Sequence, residues 1–310
     1  MSKYNKNTFR YKLKKDLKDN IGLYLLIIPG FAFLLLFSYV PLYGISLAFK
    51  DYDMNLGIMK SPNVGFYNFA RFFKGYYFSE ILTNTILISL FSLVVGFIFP
   101  LIFALSLNSV ENIRFKKVVQ MISYAPYFIS VVVIVQMINI FFGNSGVVNN
   151  LFKALGVNKK IDWTTNPNSF YSLYVWSGLW QTLGWNSIIY ISSLSSINPE
   201  LYEASSIDGA TKLQKILFIE IPSIAPTIVT LLILSAGGIL GVGFEKVFLM
   251  QNLDNLQTSE VISTYVYKKG LISNDYGLAT AVGLFNSLVS FVMLVLVNFI
   301  SKKVSDYSIM

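Results

Sequence analysis

Every one of the 24 lysines and arginines in this 310-residue chain falls outside six long apolar stretches, at about 21–47, 85–108, 118–142, 171–194, 223–244 and 278–300. A helix needs roughly 20 such residues to cross a hydrocarbon core of ~30 Å. A basic side chain at its centre costs ~2.5–3.5 kcal/mol even on lenient insertion scales, so their total exclusion is what six real spans require. The alternating ten-residue segments of a membrane β-barrel are missing. With 54% hydrophobic and 13% charged residues, the chain has too little charge to coat a soluble surface of its size. The expected fold is an all-α polytopic membrane protein with six transmembrane helices.

Orientation follows from the density of basic residues. With the N-terminus inside, the pieces 1–20, 109–117, 198–222 and 301–310 hold 14 lysines and arginines in 64 positions, against ten in 92 for 50–82, 143–170 and 246–276. Both termini are therefore expected in the cytoplasm. Seven basic residues, Lys3 to Lys18, stand directly before the first span, so juxtamembrane charge accounts for the net +8 and no nucleic-acid partner is implied. The first stretch is too long for a signal peptide and no Ala-x-Ala site follows it, so it reads as an uncleaved span with Pro29 and Pro41 as bends. The expected organisation is a basic tail (1–20), a first span with a polar, aromatic external segment (21–80), a transmembrane core (81–301) and a short tail (302–310).

Several function classes drop out. The chain has no cysteine and no histidine, which removes thiol nucleophiles, imidazole acid–base chemistry and zinc or haem ligation. It has no phosphate-cradling Gly-x-x-x-x-Gly-Lys-Ser/Thr loop, and no charged residue well inside a span to relay protons. A membrane subunit with neither an ATP site nor an ion relay is best read as a non-catalytic part of a larger machine.

The loop 198–222 departs from the other short connections. Asn198 is a good N-cap, Pro199 suits the first helical position, and Glu200 and Glu203 favour the first turn. Leu201, Ala204, Ser205 and Asp208 share a face, and the small residues make a slim helix. Gly209 is a natural break, after which a second helix is expected from Ala210 to Pro222, its apolar positions Leu213, Ile216, Leu217 and Ile221 packing beneath the bundle. Spacing alone is equally met by an ordinary helix–turn–helix connector on the membrane surface.

The same loop resembles the signature of ATP-binding-cassette importer permeases through Glu203-Ala204-Ser205, Asp208-Gly209-Ala210 and Ile219-Glu220-Ile221-Pro222. Trp185-Asn186-Ser187-Ile188-Ile189-Tyr190, Val40-Pro41-Leu42-Tyr43-Gly44 and Val64-Gly65-Phe66-Tyr67-Asn68-Phe69 are similar to the sugar-importing branch. The resemblance implies a type I permease of the bacterial cytoplasmic membrane that forms half of a path for an oligosaccharide. Its partners would be a second permease, generally a different chain, two ATP-binding subunits and an extracytoplasmic solute-binding protein. ATP and Mg would act on the partner subunits, with no cofactor on this chain. Residues 200–209 would be the coupling helix, with Glu203 its charged contact, Ala204 and Ser205 its close-packing surface and Gly209 its turn, followed by Pro222 of the motif. Ser205, Ile216 and Ile221 depart mildly from the family pattern.

Polar and aromatic groups inside the spans are the candidates for a cargo path. Gln181 and Trp185 share a face at i, i+4, beside Asn186, and rings with amides suit sugar C–H faces and hydroxyls. The competing reading is that such residues anchor at the interface or join helices. Gly237, Gly238 and Gly241 either allow close helix packing or mark an unwound stretch that exposes backbone. Asn286 is a further candidate. An acidic, uronate-containing cargo is a second reading, suggested by the ten basic residues outside and opposed by the lack of Lys or Arg in the spans. A self-sufficient secondary carrier is the rival from another class.

Overall fold

The computed structural model describes residues 15–156, 162–238 and 240–305, and among them the chain is helical with no strand. Helix α1 (Ile21–Leu34) runs through a π turn (Leu35–Tyr39) into a 3-10 segment ending at Phe49. An external-loop helix α2 (Tyr67–Phe73) precedes α3 (Phe78–Asn108), which at 1.5 Å per residue is about 46 Å long. Then come α4 (Ile113–Tyr124), α5 (Val131–Phe142), α6 (Val147–Ala154), α7 (Phe170–Ser195) and the short α8 (Pro199–Ile207). Helix α9 spans Lys212–Gly237, followed by α10 (Phe244–Met250), α11 (Ile262–Tyr267) and α12 (Tyr276–Ser305).

Five segments among the described residues are long and apolar enough to cross a membrane: Ile21–Phe49, Phe78–Asn108, Val131–Ala154, Lys212–Gly237 and Tyr276–Ile300. The expected span 171–194 lies on α7, a continuous 26-residue helix that carries no charge but is diluted by serine, glutamine and asparagine. The expected span 118–142 is not one helix. It breaks between α4 and α5, where Pro126 initiates a 3-10 turn and Ile129 and Ser130 are extended, and Ser130 then caps α5 by accepting from Val133 N–H. The expected fifth span, 223–244, ends early at Gly237 and begins early at Lys212. The second helix of the 198–222 loop thus does not stop at Pro222 but continues through it.

Proline is tolerated there because the helix widens first. The π turn Ile216–Glu220 ends two residues before Pro222, just as Leu35–Tyr39 ends two residues before Pro41. A proline cannot donate to the carbonyl four residues back and its ring crowds that oxygen; the extra residue in the turn absorbs both problems. Ile221 N–H and Val40 N–H each bond the carbonyl five residues back.

The centre of the bundle is the pair α3 and α7, which run parallel, start beside start and end beside end. Near one end Tyr171 O–H donates to Asn84 Oδ1 at 2.6 Å, and Asn84 donates in turn to the Gln257 and Glu260 carbonyls. At the other end Ala104 and Leu105 pack with Tyr190, Leu194 and Ile224. The external segment is fastened to the bundle rather than lying loose at the interface. Phe72 is buried with Ile81, Ile262, Leu278 and Val282, and Arg71 pairs with Asp275 at 2.7 Å. Helix α1, by contrast, has no residue buried among the described residues, so its apolar surface is available to lipid or to another subunit.

Gly184 on α7 is the point of closest approach to α4: a Cβ there would stand 2.3 Å from the Ser123 carbonyl oxygen. Gly184→Val is expected to destabilise the protein by about 1–3 kcal/mol through overpacking, read as a lower melting temperature in detergent. Gly96→Ala on α3, where no atom lies within 4 Å of the added carbon, should leave that temperature unchanged or raise it slightly.

Candidate functional site

Two regions combine the residues singled out in the sequence. The first is the loop around α8. Asn198 accepts from Glu200 N–H, as its N-cap role requires, and Asp208 closes the helix. Gly209 has φ of +74°, a left-handed conformation that side chains with a Cβ adopt only at a cost of ~1–2 kcal/mol. It lets Ala210 N–H return to the Ser205 carbonyl at 2.9 Å. Thr211 then starts α9 in a capping box with Gln214. Glu203, Ala204, Asp208 and Ile207 are exposed, Ile207 at 87%, while Ser205 is half-buried and bonds back to the Tyr202 carbonyl. Pro222 is also exposed, on α9 rather than on α8. Ile216, the departure from the family pattern, packs against the core that contains Ala104, Leu194 and Ile224.

The inner side of α8 is tied down by a polar cluster that sequence reading missed. Asn108, the last residue of α3, donates to Glu220 Oε1 at 2.7 Å and to the Tyr202 hydroxyl at 3.3 Å. Tyr202 O–H donates to the same Glu220 oxygen at 3.3 Å. Burial, and then the neighbouring Glu220 charge, raises the Tyr202 phenol above its ordinary pKa, so it remains a proton donor. The only sequence signal was a lone glutamate amid the apolar residues of 216–221.

The second region is a chamber among α3, α7 and α9. A cavity of about 260 Å³ is lined by Ser89, Ser92, Tyr174, Asn186, Gly238 and Gly241, among others. A second of about 370 Å³ adjoins it through Gly96, Phe97, Asn186 and Ser235, and reaches Trp185. The helix ends at Gly237, and Gly238 and Leu240–Gly243 lie outside any regular helix, with the Gly241 N–H bonded to the Gly238 carbonyl at 2.7 Å. The glycines thus divide the two uses foreseen for them: Gly237 permits close packing, a Cβ there meeting Leu294 Cδ1 at 2.7 Å, while Gly238 and Gly241 face the chamber. Ser89 and Ser92 hydroxyls are buried with no hydrogen-bond partner among the described residues.

The remaining candidates separate. Asn186 faces both cavities and Trp185 faces one, stacked on Tyr127 at 4.2 Å between ring centres. Gln181 instead joins helices, donating to the Ile129 carbonyl at the break between α4 and α5. Asn286 on α12 lines neither cavity. A larger cavity, about 620 Å³, uses another face of α7 through Trp176 and Trp180 and is almost wholly apolar, which does not suit a hydroxyl-rich molecule. Lys246, counted in the sequence with solvated outer-loop charges, is 8% exposed. Its ammonium donates to the Tyr174 carbonyl at 2.8 Å and lies 4.8 Å from the centre of the Tyr174 ring. Burial pushes it down to about 8 from the ordinary lysine value, and among the described residues no carboxylate pairs with it.

Residues 96–306 match the family model of the binding-protein-dependent transport system inner membrane component. The chain belongs to that family. The permease is 38% identical over 288 residues to Protein LplB of Bacillus subtilis, covering 93% of this chain and 90% of that protein. It is also 38% identical to the polygalacturonan/rhamnogalacturonan transport system permease protein YteP of the same organism, over 93% of this chain and 89% of that one. Among solved structures, a chain of a bacterial alginate ABC transporter in complex with an alginate pentasaccharide-bound periplasmic protein superposes with a TM-score of 0.88 at 37% identity. That match covers 96% of this chain and all of the other. The protein is therefore a membrane-embedded, non-catalytic permease subunit of a sugar-type ATP-binding-cassette importer, as the resemblance implied.

The unpaired hydroxyls of Ser89 and Ser92 carry a prediction for the empty permease. A buried hydroxyl without a partner costs about 1–3 kcal/mol, so Ser89→Ala and Ser92→Ala are expected to leave thermal stability unchanged or to increase it. A fall in melting temperature in both would mean that the hydroxyls are structural.

Proposed function

We propose that this permease provides one half of an oligosaccharide path, with the chamber of Asn186, Ser235, Gly238 and Gly241 as the cargo-facing surface and α8 as the helix that seats in a partner ATPase. The observation that carries the reading is the chamber itself: amide, hydroxyl and unwound backbone groups gathered among apolar spans, which is what orients a hydroxyl-rich ligand. Six spans, α7 included, with both termini in the cytoplasm place α8 on the side where ATP is available. A second permease, two ATP-binding subunits that hold ATP and Mg, and an extracytoplasmic binding protein complete the machine. Glu203, with Ala204, Ser205, Asp208 and Gly209, forms the docking face, and Pro222 with the π turn before it sets the direction of α9.

In the assembled importer, reconstituted in liposomes, Glu203→Arg and Gly209→Val should leave ATP hydrolysis in excess of uptake. Equal uptake per ATP in both variants and in the native protein would remove α8 from the coupling role. Transport by this chain alone, without ATP or partners, would establish the secondary carrier instead.

Lys246 favours a uronate-containing cargo as the finer reading. A buried cation without a carboxylate is costly, and an anion supplied by cargo would relieve it. YteP is named for polygalacturonan and rhamnogalacturonan, and a further match at TM-score 0.87 is to an importer of the acidic polysaccharide alginate. The lysine does not itself line the chamber, but it packs on the ring of Tyr174, a residue that does. With its value near 8, the ammonium is charged below that pH and loses its charge above it. Uptake of trigalacturonate should therefore decline as the pH rises past about 8, whereas Lys246→Gln should lower it about tenfold at neutral pH and flatten the profile. Maltotriose is the neutral control. Uptake of maltotriose but not trigalacturonate would reject the acidic reading and leave the permease role standing.

A further inference from the structure

The carboxylate of Glu220 is 3% exposed and only half satisfied. Oε1 receives both Asn108 Nδ2 and the Tyr202 hydroxyl, whereas Oε2 is buried with no hydrogen-bond partner among the described residues. Among the described residues no lysine or arginine stands within ion-pair distance of it. Its neighbours along α9, Ile216, Ile221 and Ile224, belong to an apolar core with Ala104, Leu105 and Leu194. A joint that only had to keep its shape would be better made with a neutral amide or an apolar side chain, because removing a carboxylate from water is costly unless its oxygens are all engaged. Half-satisfied buried polar networks are a poor way to hold one arrangement and suit an element that alternates between two.

The three residues come from three elements with different destinations. Tyr202 belongs to α8, Asn108 ends α3, and Glu220 closes the π turn of α9. Helix α3 carries Ser89, Ser92 and Gly96 to the chamber, and α9 carries Ser235 and ends where Gly238 and Gly241 begin. Two of the chamber's three walls therefore meet α8 at one carboxylate. The π turn beside Glu220 is a place where a helix shifts by a residue without losing its hydrogen bonds.

We propose that Asn108, Tyr202 and Glu220 form the joint that carries displacement of α8 into α3 and α9, and so to the chamber, with Glu220 as the positioning residue. This rests on α8 being the helix that docks the ATPase. The test is amide hydrogen exchange on the complete importer in nanodiscs, with and without ATP plus vanadate, which requires no knowledge of the cargo. In the native complex, nucleotide trapping changes exchange in 199–210 and in 237–243. In Tyr202→Phe, which removes one hydroxyl, and in Glu220→Gln, which keeps an acceptor but not the charge, the change at 199–210 persists. The change in rate at 237–243 shrinks by about tenfold, the worth of one charge-assisted hydrogen bond. An undiminished response at 237–243 in both variants overturns the joint, including the case where their exchange already differs before nucleotide is added, since that is the mark of a merely structural role. A native complex that responds at 199–210 but not at 237–243 overturns it as well. No nucleotide response at 199–210 in the native complex would refute the docking role of α8, a separate failure.

Discussion

A backbone that crosses a bilayer must satisfy its own N–H and C=O groups, and this single requirement explains where the permease is regular and where it is not. Helices α3, α7 and α12 run unbroken for 31, 26 and 30 residues. The irregular pieces are confined to places where something else takes up the freed groups. At the break between α4 and α5, the Ile129 carbonyl accepts from Gln181. Beyond α9, the Gly243 N–H donates to the Tyr174 hydroxyl. Before Pro41 and Pro222, a π turn restores the ladder one residue out of step. Irregular backbone in such a protein is thus a record of where two elements meet, and at the end of α9 it coincides with a polar chamber.

The sequence made the class of fold legible because burial in lipid acts on every residue of a span. Exclusion of charge over 20 positions is a redundant signal, so the spans at 85–108 and 278–300 fall within α3 and α12. Boundaries were less legible. Apolar runs continue across a break when both sides face lipid, which hid the division at Ile129 and Ser130, and across a proline when the turn before it widens, which hid the continuity of α9. Helix α7 shows the reverse. Its polar residues dilute its hydropathy because some of them face a cavity.

The site was partly legible for the same reason. Local conformational signals, such as the Asn198 cap and the left-handed Gly209, are written in neighbouring residues and were read from them. Long-range pairings are not. Nothing in the sequence distinguishes Gln181, which joins α7 to a carbonyl 52 residues away, from Asn186, one turn and a fraction further on, which faces the chamber. Likewise Glu220 and Asn108 are 112 residues apart, and Lys246 looked like an outer-loop charge until packing buried it.

The two buried charges have a common logic. Tyr171 and Asn84 mark one end of the α3–α7 pair, and the core of Ala104 and Leu194 marks the other. Lys246 packs on Tyr174 near the first end, and Glu220 binds Asn108 at the second. An ion costs most where it is out of water, so evolution of a helix pair for stability alone would place none at either end. Each of these instead leaves part of its bonding capacity unmet among the described residues: the ammonium has no carboxylate, and the carboxylate has one oxygen without a donor. Unmet capacity raises the energy of the isolated subunit and lowers that of any state in which a partner, cargo or rearranged loop meets it. A subunit built this way is biased toward change at both ends of its central helix pair, and that pair lines the chamber between them.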